Sequence, residues 1–178
     1  MNIIFAKDFS WHYKDLRYPL TSGNAERAHS RRKSYNAALY EKPICLSPSE
    51  YVGRESMPAR LPDGQVPLAV IHVKDDYVGV AFLDDRVCVF LDYQYQEFKP
   101  GRLFLSQGAS RTFFEDNDEF AHGKVWYFKP DGSVVIESGE YHRESHLDVS
   151  GHWKAYPAFG QYDHLLKGKW GSLTDDQC

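Results

Sequence analysis

Between residues 66 and 138 the chain alternates short apolar runs with charged or Gly/Pro-containing breaks. The runs are Val66–Val73, Tyr77–Leu83, Arg86–Gln94 and Arg102–Ser106, and the breaks are Asp75-Asp76, Asp84-Asp85 and Lys99-Pro100-Gly101. Runs of this length, rich in β-branched and aromatic residues and separated by two or three turn formers, predict hairpins. Lys124–Lys129 and Ser133–Ser138 flank Pro130-Asp131-Gly132, a strand, tight turn and strand. A further strand is expected over Glu140–His146. The pattern therefore predicts one antiparallel sheet over residues 66–138, with Val70, Val80, Phe82, Val89, Leu91, Leu103 and Val135 in its core. In the third run, Val87, Val89 and Leu91 are expected on one side and Cys88 and Phe90 on the other, a segment buried on both faces.

The flanks read differently. Ile3–Phe5 and Phe9–Tyr13 resemble short strands, and the Thr21-Ser22-Gly23-Asn24 cluster offers a turn and a helix N-cap. A helix is expected from Ala25 to Tyr40, with a weak stripe of Ala28, Tyr35, Ala38 and Leu39 broken by Arg31-Arg32-Lys33, so it should be largely exposed. Pro43 stops it, Ile44–Leu46 suits a short strand, and a Pro/Ser/Gly-rich loop follows. From Trp153 to Trp170 the chain is aromatic but rich in Gly and Pro, which suits an irregular lid with a short helix around His164–Lys167. The expected fold class is α+β, mainly β: an antiparallel meander sheet with a short N-terminal helix. Residues 1–178 are read as a single domain, with N-terminal strands and helix over 1–46, a loop over 47–64, the sheet over 65–150 and an irregular aromatic segment over 151–178.

Composition agrees with one core of this kind, since 42% of the 178 residues are hydrophobic and 15% aromatic. No stretch approaches the length of a membrane-spanning helix, and charge at Lys7-Asp8 interrupts the N-terminal apolar run before it reaches the length of a signal-peptide core. Three widely spaced cysteines, Cys45, Cys88 and Cys178, form no CxxC pair, so reduced thiols and a cytoplasmic location are expected. Residues 1–42 carry eight Lys/Arg against four Asp/Glu, yet the whole chain is at −4, a balance that disfavours a general phosphate binder and makes nucleic acid an unlikely partner.

Motifs for catalysis are sparse. There is no GxSxG turn, no Walker pattern and no strand followed by GxGxxG. On a strand, period two places His142, Glu144, His146 and Asp148 on one face, a set from which a divalent metal can be held. Its spacing matches no zinc signature, because Arg143 stands where a zinc protease carries Glu; the expectation is therefore no metal and no cofactor, and the metal-dependent enzyme is an alternative reading. The acidic stretch Glu115-Asp116-Asn117-Asp118-Glu119 follows Phe113-Phe114. Carboxylates beside rings suit recognition of a basic protein surface, the charges setting encounter and the rings supplying desolvated contact. Phe113, Phe114, Glu115, Asp116, Asp118 and Glu119 are accordingly the expected partner-binding residues. A solvated turn is the plainer account of the same acids, as an exposed face is of Arg31-Arg32-Lys33.

The segment Gly123-Lys124-Val125-Trp126-Tyr127-Phe128-Lys129-Pro130-Asp131-Gly132-Ser133-Val134-Val135-Ile136-Glu137 resembles hairpins of small cytosolic bacterial immunity proteins from polymorphic toxin systems. The resemblance implies a non-enzymatic protein that binds a cognate, basic toxin domain and blocks its active site. It carries over no residue by position. A small-molecule-binding β-barrel or half-barrel is the other reading, since rings on a curved sheet can line an apolar pocket.

Overall fold

The computed structural model describes residues 2–12, 14–40, 65–114, 119–139 and 141–167. The elements run β1 (Asn2–Ser10), β2 (Asp15–Leu20), α1 (Ser22–Ser30), β3 (Tyr35–Tyr40), β4 (Ala69–Lys74), β5 (Tyr77–Leu83), β6 (Val89–Lys99), β7 (Arg102–Phe113), β8 (Phe120–Phe128), β9 (Ser133–Ser138), β10 (Tyr141–His146), β11 (Trp153–Ala155) and α2 (Asp163–Leu166), with a 3-10 turn at Ser150–His152. The strands form one open antiparallel sheet in the order β10-β9-β8-β7-β6-β5-β4-β3-β1-β2, and β11 pairs with the first residues of β7. The expected sheet over 66–138 is therefore present and extends further at both ends. Among the described residues its edges, β2 and β10, do not pair with each other, so it is not a closed barrel.

Register explains how the two faces differ. One cross-strand row reads Leu20, Phe5, Ala37, Ile71, Val80, Tyr93, Gly108, Trp126 and Ile136. These residues are apolar or glycine, and the first face packs the main core, which α1 touches through buried Ala25 and the C-terminal segment covers with Tyr162 and Leu165. The adjacent row, pointing the other way, reads Ala6, Asn36, His72, Gly79, Gln94, Gln107 and Tyr127. This second face is polar across its middle, with a smaller core of Ile4, Phe9, Leu16, Ala38, Val70 and Leu83 to one side.

The expected helix over Ala25–Tyr40 is corrected. The helix is Ser22–Ser30, capped by Thr21 Oγ1 accepting from the Asn24 amide at 3.3 Å, and the chain leaves it through Arg32 at φ 51°. Tyr35–Tyr40 is instead a strand, buried at all six positions and held between β1 and β4. Ala37, Ala38 and Leu39 favour helix as single residues, but the alternating side chains fill both cores, and burial on two faces outweighs a propensity difference of about 0.7 kcal/mol per residue. Strand β6 also begins later than expected: Val87 sits at φ 61° in the preceding turn. Of the expected core, Val70, Val80 and Leu103 are buried; Phe82 and Leu91 pack on the main core, Val89 on the smaller one, and Val135 is half-buried. The strand expected at Ile44–Leu46, the loop over 47–64, Cys45 and Cys178 lie outside the described residues. No helix among the described residues is long and apolar enough to cross a membrane.

Candidate functional site

Strand β1 pairs with β3 only through Ala6; beyond it, Asp8, Phe9 and Ser10 pair with β2 alone. At the tip of that hairpin the Lys14 ammonium donates to the Arg86 carbonyl at 2.7 Å and approaches Cys88 Sγ at 3.5 Å, both in the turn between β5 and β6. The hairpin thus curls over the second face, driven by burial of Phe9 and Leu16 against Val70 and Leu83. Trp11 packs on Phe9 with ring centroids 4.5 Å apart.

Between the curled hairpin and the strand faces lies an open cleft of about 650 Å³. The hairpin contributes Asp8, Phe9, Trp11 and Lys14 to its walls. Its floor follows the polar row, with Asn36, His72, Gly79 and Gln94, and extends to Tyr77, Asp92, Arg111 and Phe113. The Tyr77 ring lies over Gly79, where a Cβ would stand 2.7 Å from its hydroxyl, so a larger residue there would have to displace that ring.

The floor is an ordered polar network. Buried Asn36 donates through its amide nitrogen to the Lys7 carbonyl at 3.1 Å, which turns its oxygen toward His72 Nδ1 at 3.1 Å. An amide oxygen only accepts, so Nδ1 carries the proton and the neutral ring presents the Nε2 lone pair. Burial holds the His72 pKa below its ordinary value, with Asp8 opposing and Lys74 adding to the shift, so the ring is neutral at pH 7. Burial likewise raises the Tyr77 hydroxyl, with the Asp92 charge acting in the same direction. Asp92 is ion-paired with Arg111.

The rim of the cleft at the β5–β6 turn is strained. Val87 is β-branched yet adopts a left-handed backbone, a conformation costing about 1–3 kcal/mol. The Asp84 carboxylate holds it there, accepting from the amides of Arg86 at 2.9 Å and Cys88 at 2.8 Å.

Phe113 lines the cleft, and the Phe114 amide donates to the Glu119 carbonyl at 3.1 Å. The Arg86 guanidinium donates to the Phe114 carbonyl at 2.8 Å and ties the end of β7 to the strained turn. Glu115, Asp116 and Asp118 lie outside the described residues. The histidine-rich strand does not assemble as a one-faced set of four: β10 ends at His146, and the Asp148 carboxylate turns back to accept from the Ser150 amide at 2.9 Å. His142 is exposed and lies 3.8 Å from Glu137 and 3.9 Å from Glu144. Among the described residues no group of three or more His, Cys, Asp or Glu side chains is placed to hold a metal. Arg32, from the basic triplet, pairs with Glu97 and lies 4.4 Å from the Tyr156 ring centroid, so it has a packing role.

Sequence reading missed Asp8, Trp11, His72, Asp92 and Arg111. The available signal was a lone polar residue inside an apolar strand: His72 in Val70-Ile71-His72-Val73 and Asp92 in Phe90-Leu91-Asp92-Tyr93. Comparison of the chain with known protein families, with curated proteins and with solved structures finds no match.

Proposed function

We propose that this chain is a protein-binding inhibitor that uses the second face of its sheet, and that it acts as a cytoplasmic immunity protein occluding the active site of a cognate toxin domain. The observation that carries the reading is an exposed indole on the wall of an open cleft, Trp11 at 49%, with exposed Phe114 (54%) following cleft-lining Phe113 in the chain. Exposed large rings grouped around a concavity mark interaction sites, and Trp, Tyr and Arg at such places supply most of the binding energy. The cleft is open and lined by both apolar and polar side chains, and its openness suits a protruding side chain or loop of a protein better than a small ligand, which a pocket ordinarily encloses over most of its surface. The hairpin resemblance of Gly123–Glu137 supplies the toxin-inhibitor class.

The test is co-expression with a toxin domain encoded by the neighbouring gene, and a neighbourhood with no such domain also counts against the reading. A co-eluting complex and restored growth are expected, with Trp11→Ala and Phe114→Ala each weakening binding by about 1–2 kcal/mol through faster dissociation. Failure of the parent protein to bind or protect against that domain refutes the inhibitor reading. A small-molecule site is the second reading, favoured by a volume inside the usual 300–1,000 Å³ range.

A further inference from the structure

We infer that His29 is a proton-operated latch, which holds the C-terminal segment on the first face through a one-way chain of hydrogen bonds and loosens it when the ring takes up a proton. This device concerns the covered face of the sheet and goes beyond the inhibitor reading, which concerns the cleft.

The chain joins parts of the molecule that lie far apart in sequence. His29 stands in the last turn of α1, Tyr35 opens β3, and Tyr162 belongs to the C-terminal segment. His29 Nδ1 is 2.8 Å from the Tyr35 hydroxyl, which is 2.8 Å from the Tyr162 hydroxyl, and both phenols are buried. A Gly160 backbone group bonds the Tyr162 hydroxyl and acts to lower its pKa, the direction given by an amide that donates to the oxygen. At the other end the ring meets the Pro157 carbonyl, which only accepts. With Nδ1 engaged by Tyr35, the neutral ring keeps its hydrogen on Nε2 toward that carbonyl. Three links then run in one direction, from the Gly160 amide to Tyr162, from Tyr162 to Tyr35 and from Tyr35 to Nδ1, with one hydrogen for each. Burial raises both phenols, so neither gives up its hydrogen. A proton on Nδ1 brings a fourth hydrogen to three links, and one link must fail where both phenols are closed to water. If the chain reverses, the conflict moves to Tyr162, which loses its bond within the segment. If it does not, two hydrogens face each other between His29 and Tyr35 and the ring is pushed off its contacts with the segment. The charges on the ring are Glu26 of α1, which favours the proton, and Arg32 of the following turn, which opposes it. Strand β3 presents Tyr35 to the ring, and the C-terminal segment presents Pro157, Tyr156 and Phe159, the two aromatic centroids 6.0 and 5.9 Å away. Burial and Arg32 prevail, so the ring is neutral and the latch closed at pH 7. Beyond Tyr162 the segment has a separate anchor, the Tyr95 hydroxyl donating to the Leu165 carbonyl at 3.3 Å, so the loosening falls on residues 156–162.

The test is hydrogen exchange of the whole protein, read by mass spectrometry between about pH 7 and pH 5, with each peptide's protection taken relative to the unstructured rate at the same pH. Opening returns His29 to its ordinary pKa of 6.5, so the open fraction should grow as pH falls below that value, by at most about tenfold per pH unit. Peptides over residues 156–162 should lose about tenfold in protection by pH 5, while β4 and β5 keep theirs. His29→Gln places a neutral amide at a half-buried position, with an oxygen able to accept from Tyr35, and should leave the segment closed without dependence on pH. The same variant separates His29 from His164, whose Nε2 lies 3.0 Å from the Ala155 carbonyl. Tyr35→Phe removes the chain and should leave the segment open to the same degree across the range. Three results overturn the latch: residues 156–162 and the sheet losing protection together, a segment whose protection is flat across this range in the parent, or either variant keeping the parent's pH dependence.

Discussion

The hydroxyl of Tyr35 is the hinge of a buried hydrogen-bond chain, and its removal should measure how firmly the C-terminal segment is tied to the sheet. Tyr35 and Tyr162 are 0% and 1% exposed. Their hydroxyls are 2.8 Å apart, and the Tyr35 hydroxyl is also 2.8 Å from His29 Nδ1. Tyr35→Phe keeps the ring and its contacts but strands two partners. Tyr162→Phe leaves Tyr35 its bond to His29. A buried polar group left unsatisfied costs about 1–3 kcal/mol, and His29 is only half-buried and can regain water. The expected losses are therefore about 2 kcal/mol for Tyr35→Phe and about 1 kcal/mol for Tyr162→Phe. In the double variant both hydroxyls are gone and their mutual bond is counted once, leaving His29 and the Gly160 backbone group that also bonds the Tyr162 hydroxyl without their partner, so its loss should fall about 1 kcal/mol short of the sum.

Urea unfolding followed by circular dichroism and tryptophan fluorescence reads these differences, with the denaturant slope unchanged if the native state is unchanged. For a domain of this size, 2 kcal/mol corresponds to a fall in Tm of about 4–8 °C. A Tyr35→Phe protein within about 0.5 kcal/mol of the parent, or a strictly additive double variant, refutes the view that these hydroxyls act as one unit.

Two other outcomes follow from the same geometry. Burial depresses the pKa values of His29, His72 and His152, so the unfolded chain takes up protons near pH 6.5 that the folded one refuses. Stability present in full above that pH should decline as pH falls, by at most about 1.4 kcal/mol per pH unit for each histidine, until each folded pKa is passed. Glu97, whose pKa its hydrogen bond with Arg32 lowers, should add a further loss below the ordinary carboxylate range. Calorimetry showing a flat or rising Tm between about pH 7 and pH 5 contradicts this. Gly132 and Gly139 both hold positive φ, at 93° and 58°, but a Cβ at Gly132 would meet His146 and lie 2.7 Å from the Leu147 carbonyl, while at Gly139 it meets nothing. Gly139→Ala should cost about 1 kcal/mol from backbone strain alone and Gly132→Ala at least about 2 kcal/mol more, measured by urea unfolding; equal costs would show that the contacts are relieved without penalty.

How much of this was readable in sequence differs along the chain. The bounds expected for Tyr77–Leu83 and Ser133–Ser138 match the strands residue for residue, because runs rich in β-branched residues and turn chemistry at Asp75-Asp76 and Pro130-Asp131-Gly132 reinforce one another. Tyr35–Tyr40 was misread because Tyr-Asn-Ala-Ala-Leu-Tyr carries no alternation: both faces of a central strand are buried, and the signal that separates strand from helix disappears. The cleft was hidden for a different reason. It joins Asp8, His72, Asp92 and Arg111 across a hairpin that folds over the sheet, and only the pairing register brings such distant positions together.

The open sheet has two edges, and their chemistry bears on how a partner can bind. Adding a strand to an edge is a common mode of protein recognition, and it needs a straight edge with free amides. Strand β2 offers neither: Tyr18 turns the backbone at φ 56° and Pro19 has no amide to give. Strand β10 carries exposed His142, Arg143 and Glu144, charges of the kind that discourage pairing between sheets. With both edges blunted among the described residues, a partner of the proposed kind would have to meet a face. The first face is covered by the C-terminal segment, where Phe159 stacks on Phe5 with centroids 4.9 Å apart and Trp153 packs on Phe104 at 5.0 Å. Among the described residues the second face leaves part of its polar row accessible in the cleft beside the curled hairpin, and the exposed rings of Trp11 and Phe114 stand near charged groups there. A partner that binds through this protein should therefore compete with the cleft, and its footprint by hydrogen exchange should fall on the hairpin tip and on strands β4 to β7 rather than on β2 or β10.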